Sequence, residues 1–486
     1  MCIVNLLFRC KGATISVKSW NKKGVSSDAR GVGEATNKLE TRGELMAHIL
    51  FISPYYPPEN GAAPACVGET TIRLVKLGHH VTVLTTFPNY PSGIVLPEYR
   101  GRLFQREVLD GVQVVRVWSY VNPDKDFLHR ILWYLSFALM APLLGGRAVG
   151  RPDIIIVQSP PLFDAFPARL LAWWKHCPFI FMVSDLWPES PIQLGVLRNR
   201  ALIWLSEWLE WSTYRRASLV WVVTEWIRDF LIQHGLPPER VFLLTNGVDT
   251  TRFHPLPQAQ ARTKLGWDDR FIALYAGTHG VTHGLTTILE AAEHILDYED
   301  IHFVFVGEGA EKADLVAHAQ KRGLKNVTFL DPVPHSLVPT LLAASDVCLA
   351  HVRKVPIGEG ILPIKMYEAM ACARPIVLAV DGEARRIAVQ EAGAAIYVEP
   401  ENATALASAV LYLREHPDLA ALFGPRGRAY AEARFDYDHL TAELGARIAM
   451  VLKQKTGISL PETPLPVSLA LTPSPLHEEE GTQQGF

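Results

Sequence analysis

Several familiar signatures are missing from this chain of 486 residues. Its six cysteines (Cys2, Cys10, Cys66, Cys177, Cys348 and Cys372) form no C-x-x-C pair and no metal-ligand spacing. They read as reduced thiols in a cytosolic protein, which leaves out a structural zinc and a disulfide framework. No Gly-x-Gly-x-x-Gly with a downstream acidic residue follows either candidate first strand, so a nicotinamide dehydrogenase is disfavoured. Positive charge is not in excess. The net charge of −3 predicts no general affinity for nucleic acid. The first 45 residues lack the apolar core and cleavage site of a signal peptide. The longest apolar run, Ile131 to Leu144, is shorter than the ~20 residues of a membrane span.

What is present is an ordinary globular composition, 49% hydrophobic and 20% charged, long enough for two or three domains. Residues 1–45 form a polar leader without lasting periodicity, and the fold is expected to begin near Met46. Residues 456–486 turn proline-rich, then acidic and glutamine-bearing, and are expected to be a disordered tail. Between them strand and helix patterns alternate. HILFIS, HHVTVLTT, GVQVVRVWSY, PDIIIVQSPP, FIFMVS and LVWVV read as strands of a first domain over 46–245. A linker, PLPQAQARTKLGWDDR, precedes FIALYAG, IHFVFVGEG, NVTFLDPV, VCLAHV, IVLAV and IYVEP, the strands of a second domain over 246–435. A helix over 436–455 is expected to pack back on the first domain. Two doubly wound α/β domains imply a cleft where strand ends and facing loops meet.

The stretch Gly358–Pro375, GEGILPIKMYEAMACARP, reads as a loop opening into a short helix. A helix start gathers unpaired N–H groups and suits an anion such as a diphosphate. Lys365 adds a positive charge one turn before Glu368, whose carboxylate can accept hydrogen bonds from neighbouring ribose hydroxyls. Two solvated charges at helical spacing are the plainer reading. Asp185 and Glu189 follow the strand FIFMVS, where doubly wound proteins place chemistry. Capping of the next turn is the alternative for Asp185. Gly61, in the loop after the first strand, either lets a ligand approach the backbone or only permits a turn. The apolar segment 127–146 is either a buried helix or one that lies in a membrane interface. Trp204, Trp208 and Trp211 recur at helical spacing and read as core or interface.

The runs VFLLTNGVDTTRFHP, YAGTHGVTHGLTTILEAA, FVFVGEGAEKADL, VTFLDPVPHSLVPTLLAASDVCLA and LPIKMYEAMACARPIV, in this order, resemble the retaining GT-B glycosyltransferases of family 4. HILFISPYYPPENGAAP, TTFPNYPSG and DLWPES resemble a branch that builds bacterial O-antigen and colanic-acid-like polysaccharide. The resemblance implies a nucleotide-sugar donor, no cofactor and no metal. No Asp-x-Asp motif stands in the segments expected to face the cleft. It also implies a lipid-linked saccharide acceptor and a peripheral position on the inner face of the cytoplasmic membrane. Glu368 falls on the family's ribose-binding glutamate. The companion glutamate falls on Gly360, so it is absent or moved to Glu359. The family's Arg and Lys of the strand-to-helix loop fall on Thr278 and His283, after Gly277. Lys365, and Arg353 or Lys354, remain to neutralise the diphosphate. Glu308 occupies an acidic position beside the nucleotide, residues 330–333 including Val333 face the base, and Gly61 lies under the sugar. Asp185, Lys365 and Glu368 are the expected catalytic set. A nucleotide-sugar 2-epimerase on the same fold, or a non-catalytic partner subunit, are the alternatives.

Overall fold

The computed structural model describes residues 46–456 apart from 60, 91, 125–126, 194–196 and 355. The leader and the tail expected from the sequence lie outside the described residues. Within them, two sheets form. The first contains β1 (His48–Ile52), β2 (His80–Thr86), β3 (Phe104–Leu109), β4 (Val112–Val117), β5 (Ile154–Ser159), β6 (Phe179–Val183), β7 (Leu219–Val222) and β8 (Val241–Leu243). Its strand order is β3-β4-β2-β1-β5-β6-β7-β8. β5, β6 and β7 are buried at every position, as parallel strands covered on both faces by helices must be.

The second sheet contains β9 (Phe271–Ala276), β10 (Ile301–Val306), β11 (Val327–Leu330), β12 (Val347–His351), β13 (Ile376–Ala379) and β14 (Ala395–Tyr397). The order is β11-β10-β9-β12-β13-β14, with every pair parallel. Strand order reverses between β1 and β5 in one sheet and between β9 and β12 in the other. At such reversals the loops leave in opposite directions and open a crevice at the strand ends. The loop after β1 carries Gly61, and the loop after β9 carries Gly277, Thr278 and His283.

Three features differ from the sequence reading. β3 was not expected. It is an antiparallel edge strand, FQREVL, whose residues alternate between exposed and half-buried. Its hairpin turns through Asp110 and Gly111, both at positive φ, and Asp-Gly is a strong hairpin signal. The linker holds a helix, Gln258–Leu265, that starts after Pro257 and stops at Gly266 with φ +67. It buries only Ala261, so apolar periodicity could not reveal it. Its Arg262 pairs with Asp346 at 2.5 Å, which fixes it to the second sheet. The apolar segment forms the helix Phe127–Met140 and a wider turn, Ala141–Gly145. The stretch Leu128–Gly145 has mean hydropathy 1.3, enough to cross a membrane by length and composition alone. Trp133, Tyr134, Phe137 and Ala141 face inward, however, while Leu128, Leu132, Leu135, Leu139 and Leu143 are 41–65% exposed. One face is core and the other is open apolar surface. Trp204 and Trp208 of the Arg200–Tyr214 helix are likewise exposed rather than core, whereas Trp211 packs on it.

The helix Tyr437–Thr456 returns to the first sheet, where Leu444, Ile448, Val451 and Leu452 join the core. Its Asp438 pairs at 2.6 Å with Arg73 of the Ala62–Lys76 helix.

Candidate functional site

β9 ends in Tyr275 and Ala276, and the chain leaves it through Gly277 at φ +152. A Cβ at Gly277 would stand 3.1 Å from both Cε and Nζ of Lys365. Glycine is therefore what lets the lysine lie across the end of the strand. Lys365 is the second residue of the helix Ile364–Ala371, which follows Pro363 and has no side-chain cap on its N-terminus. Its Nζ donates to Tyr275 Oη at 2.6 Å and sits 3.9 Å from that ring's centroid. Tyr275 Oη in turn donates to the carbonyl of Thr278 at 2.8 Å. Burial pulls the ammonium down to a pKa of about 7, with the Glu368 carboxylate acting in the opposite sense. No ion pair holds Lys365 among the described residues, so its charge is available to an anion.

Three histidines surround it. Burial, with the charge of Lys365 nearby, pushes His283 down to about 3. Burial, with Lys312 and Lys365, pushes His279 down to about 4. Both are neutral at working pH. His279 packs against Tyr275, Phe305 and Phe329, with neither ring nitrogen hydrogen-bonded among the described residues. His351 Nδ1 donates to the carbonyl of His283 at 2.6 Å, and its Nε2 accepts from the backbone of Glu401 at 3.1 Å. That pins the His283 turn beneath the end of β12. Thr278 is exposed at the rim.

Glu368 stands one turn beyond Lys365, with Oε1 3.1 Å from Nε2 of His335. Glu308 is exposed at the end of β10, and its Oε2 lies 3.5 Å from Lys312 Nζ. Lys312 also reaches Asp331 at 2.9 Å and the Leu330 carbonyl at 3.1 Å, so it ties the Glu308 turn to the loop holding the half-buried Val333. The two other cations considered for a diphosphate have carboxylate partners. Arg353 is 3.5 Å from Glu311, and Lys354 is 2.6 Å from Glu399. Both line a cavity of about 300 Å³ together with the exposed Glu359 and the half-buried Asp381. Gly360 is buried under Trp226 of the first sheet's Glu225–Gln233 helix. A Cβ there would come 2.6 Å from the indole, so a glutamate cannot occupy this position without moving it.

On the first sheet, Gly61 starts the Ala62–Lys76 helix at φ +143, and a Cβ would meet the Tyr90 ring at 3.0 Å. Glu59, behind it, accepts the backbone N–H groups of Asn89 (2.7 Å), Tyr90 (2.8 Å) and Tyr56 (3.3 Å). Burial raises its pKa to about 7 against those bonds. Glu59 thus staples the Gly61 loop to the loop TTFPNYPSG. Asp185 is half-buried just past β6, and Glu189 opens the helix Glu189–Gln193 with its carboxyl pushed up by burial. Gly277, Thr278, His283, Lys365 and Glu368 therefore gather at the second sheet with Glu308 and Val333 at its rim. Gly61 and Asp185 belong to the first. Tyr275, His335 and Lys312 were not singled out from the sequence, because each reads there as an ordinary strand, loop or helix residue.

Residues 61–247 match the glycosyl transferase 4-like domain and residues 257–430 match the glycosyl transferases group 1 domain. A protein of Escherichia coli (strain K12), provisionally named as the colanic acid biosynthesis glycosyl transferase WcaI, is 30% identical over 407 residues. That similarity spans 81% of this chain and 97% of the relative. The chain belongs to family 4 of the GT-B glycosyltransferases. Solved structures share the fold. Sucrose-phosphate synthase from Thermosynechococcus elongatus superposes with a TM-score of 0.66 at 19% identity, over 84% of this glycosyltransferase and all of that chain. Anabaena HepE in complex with UDP-glucose gives 0.61 at 18%, over 84% and 100%.

Proposed function

We propose that this glycosyltransferase moves a hexosyl or deoxyhexosyl group from a nucleoside-diphosphate sugar to a lipid-linked saccharide, with retention of configuration. The setting would be bacterial cell-surface polysaccharide biosynthesis at the cytoplasmic face of the membrane. The observation that carries the donor half is the placement of Lys365, an enclosed ammonium with no carboxylate partner among the described residues, at an uncapped helix start. Glycosyl transfer builds negative charge on the leaving diphosphate as the sugar becomes oxocarbenium-like. Lys365 and the N–H groups of its helix would meet that charge without a divalent ion. Glu368 would hold the ribose, Gly277 and Thr278 would border the phosphates, and Glu308 and Val333 would flank the nucleoside. Glu359 would stand beside the sugar from the second sheet, and Gly61 and Asp185 would face it from the first. The leaving phosphate itself would take the proton of the acceptor hydroxyl.

The acceptor half rests on the WcaI relationship and on the outer face of Leu128–Leu143; Trp173, Trp204 and Trp208, on other helices of the same domain, are also exposed. Thermal shift with UDP-, GDP- and ADP-sugars tests the donor. Stabilisation by one of them, lost in Lys365→Ala and Glu368→Ala, is the expected result. Unchanged donor affinity and turnover in both variants would remove the assignment. Donor conversion to an epimer without acceptor would favour the epimerase reading, and binding without turnover a partner subunit.

A further inference from the structure

We infer that His335 is a positioning residue for the donor: it orients Glu368 toward the ribose and links that grip, through Arg252, to the opposite domain. The inference rests on the reading of Glu368 as the ribose carboxylate. His335 Nε2 lies 3.1 Å from Glu368 Oε1, and His335 Nδ1 lies 3.3 Å from Nη1 of Arg252. A guanidinium can only donate, so Nδ1 must accept and the ring proton must sit on Nε2. The neutral imidazole therefore accepts from Arg252 and donates to Glu368. Its ring is held against Phe253, centroids 5.2 Å apart, and Phe253 is buried. One carboxylate oxygen of Glu368 is thus fixed, leaving the other for a sugar hydroxyl.

Arg252 does not end the chain of contacts. The same Nη1 is 2.7 Å from Glu69 Oε1, and Nη2 is 3.5 Å from Asp249. Arg73 shares both carboxylates and also holds Asp438. Glu69 and Arg73 belong to the helix that begins at Gly61, on the first sheet. The ribose carboxylate is therefore wired, through one histidine and one arginine, to the element that opens the facing domain. A change in the relative pose of the two sheets would alter the pull on His335.

The test compares binding of UDP, GDP and ADP with their 2′-deoxy counterparts by titration calorimetry. In the wild type the ribonucleotide that binds should be preferred over its 2′-deoxy form. His335→Leu should weaken the ribonucleotide about tenfold, in line with loss of a hydrogen bond to a charged group, and bring the ratio toward one. His335→Gln should restore most of the preference, because its amide oxygen can accept from Arg252 while its NH₂ donates to Glu368. Arg252→Met should shift the ratio the same way, and not additively with His335→Leu. A preference unchanged in His335→Leu but abolished in Glu368→Gln would overturn the role of His335. A preference unchanged in Glu368→Gln, or no binding of any nucleotide, would overturn the ribose reading beneath it.

Discussion

Affinity for a nucleotide sugar should fall as pH rises from 6 to 9, because the Lys365 ammonium is the form that binds. Its pKa stands at about 7 rather than the usual 10.5. The free enzyme is then about 90% protonated at this site at pH 6 and about 10% at pH 8. Bound diphosphate restores a counter-charge and raises the pKa, so affinity should drop about tenfold per pH unit between the free and bound values. His279 and His283, already neutral above pH of about 4, add nothing in that range. Tyr275 is held neutral far above it by burial. Glu59 also titrates near 7, so Glu59→Gln is the control that separates the first sheet's contribution. A nucleotide sugar is the right probe, since a terminal phosphate has its own second ionisation near pH ~6. Calorimetry or tryptophan fluorescence with UDP-glucose, or with whichever nucleotide sugar binds, gives the dissociation constant. Stability should move in the opposite direction. The unfolded chain holds the lysine proton up to 10.5 while the folded one releases it at about 7, so this group adds stability as pH rises between the two. A flat pH profile in the wild type, or the same slope in Lys365→Met, would refute the reasoning.

Two further outcomes are expected. Gly277→Ala places a methyl group 3.1 Å from Lys365 Cε and Nζ at φ +152, which is backbone strain of about 1–3 kcal/mol. It should lower the melting temperature by a few degrees and weaken nucleotide-sugar binding at least tenfold. Unchanged affinity would mean the lysine does not bind from its observed position. Replacing Leu132, Leu135 and Leu139 with serine removes part of an exposed apolar stripe, where each leucine is worth about 1.5–3 kcal/mol on full burial. Sedimentation with anionic vesicles at low salt should fall at least tenfold, with thermal stability nearly unchanged, and equal binding would count against membrane docking.

Much of the fold was legible because parallel strands buried on both faces must be written as unbroken apolar runs. IIIVQS, FIFMV and IHFVFV could hardly be anything else. β3 escaped because an edge strand is half exposed, and FQREVL carries as many polar as apolar residues, with three polar ones in a row. The Gln258–Leu265 helix escaped because it is anchored by Arg262 rather than by a stripe. The 127–146 segment was read as buried or interfacial. Hydropathy counts apolar residues without saying which ones meet a neighbour.

The sequence by itself determined two α/β series, a short helix starting at Lys365, and the charged pair Lys365 and Glu368, since these depend on contacts along the chain. Tertiary structure alone decided what those charges face. Tyr275 and Lys365 are 90 residues apart and meet at 2.6 Å. His335 reaches Glu368 from 33 positions away, and Trp226 fills the space beside Gly360 from the other sheet. A pKa near 7 follows from enclosure, and enclosure is a property of neighbours that only folding brings together.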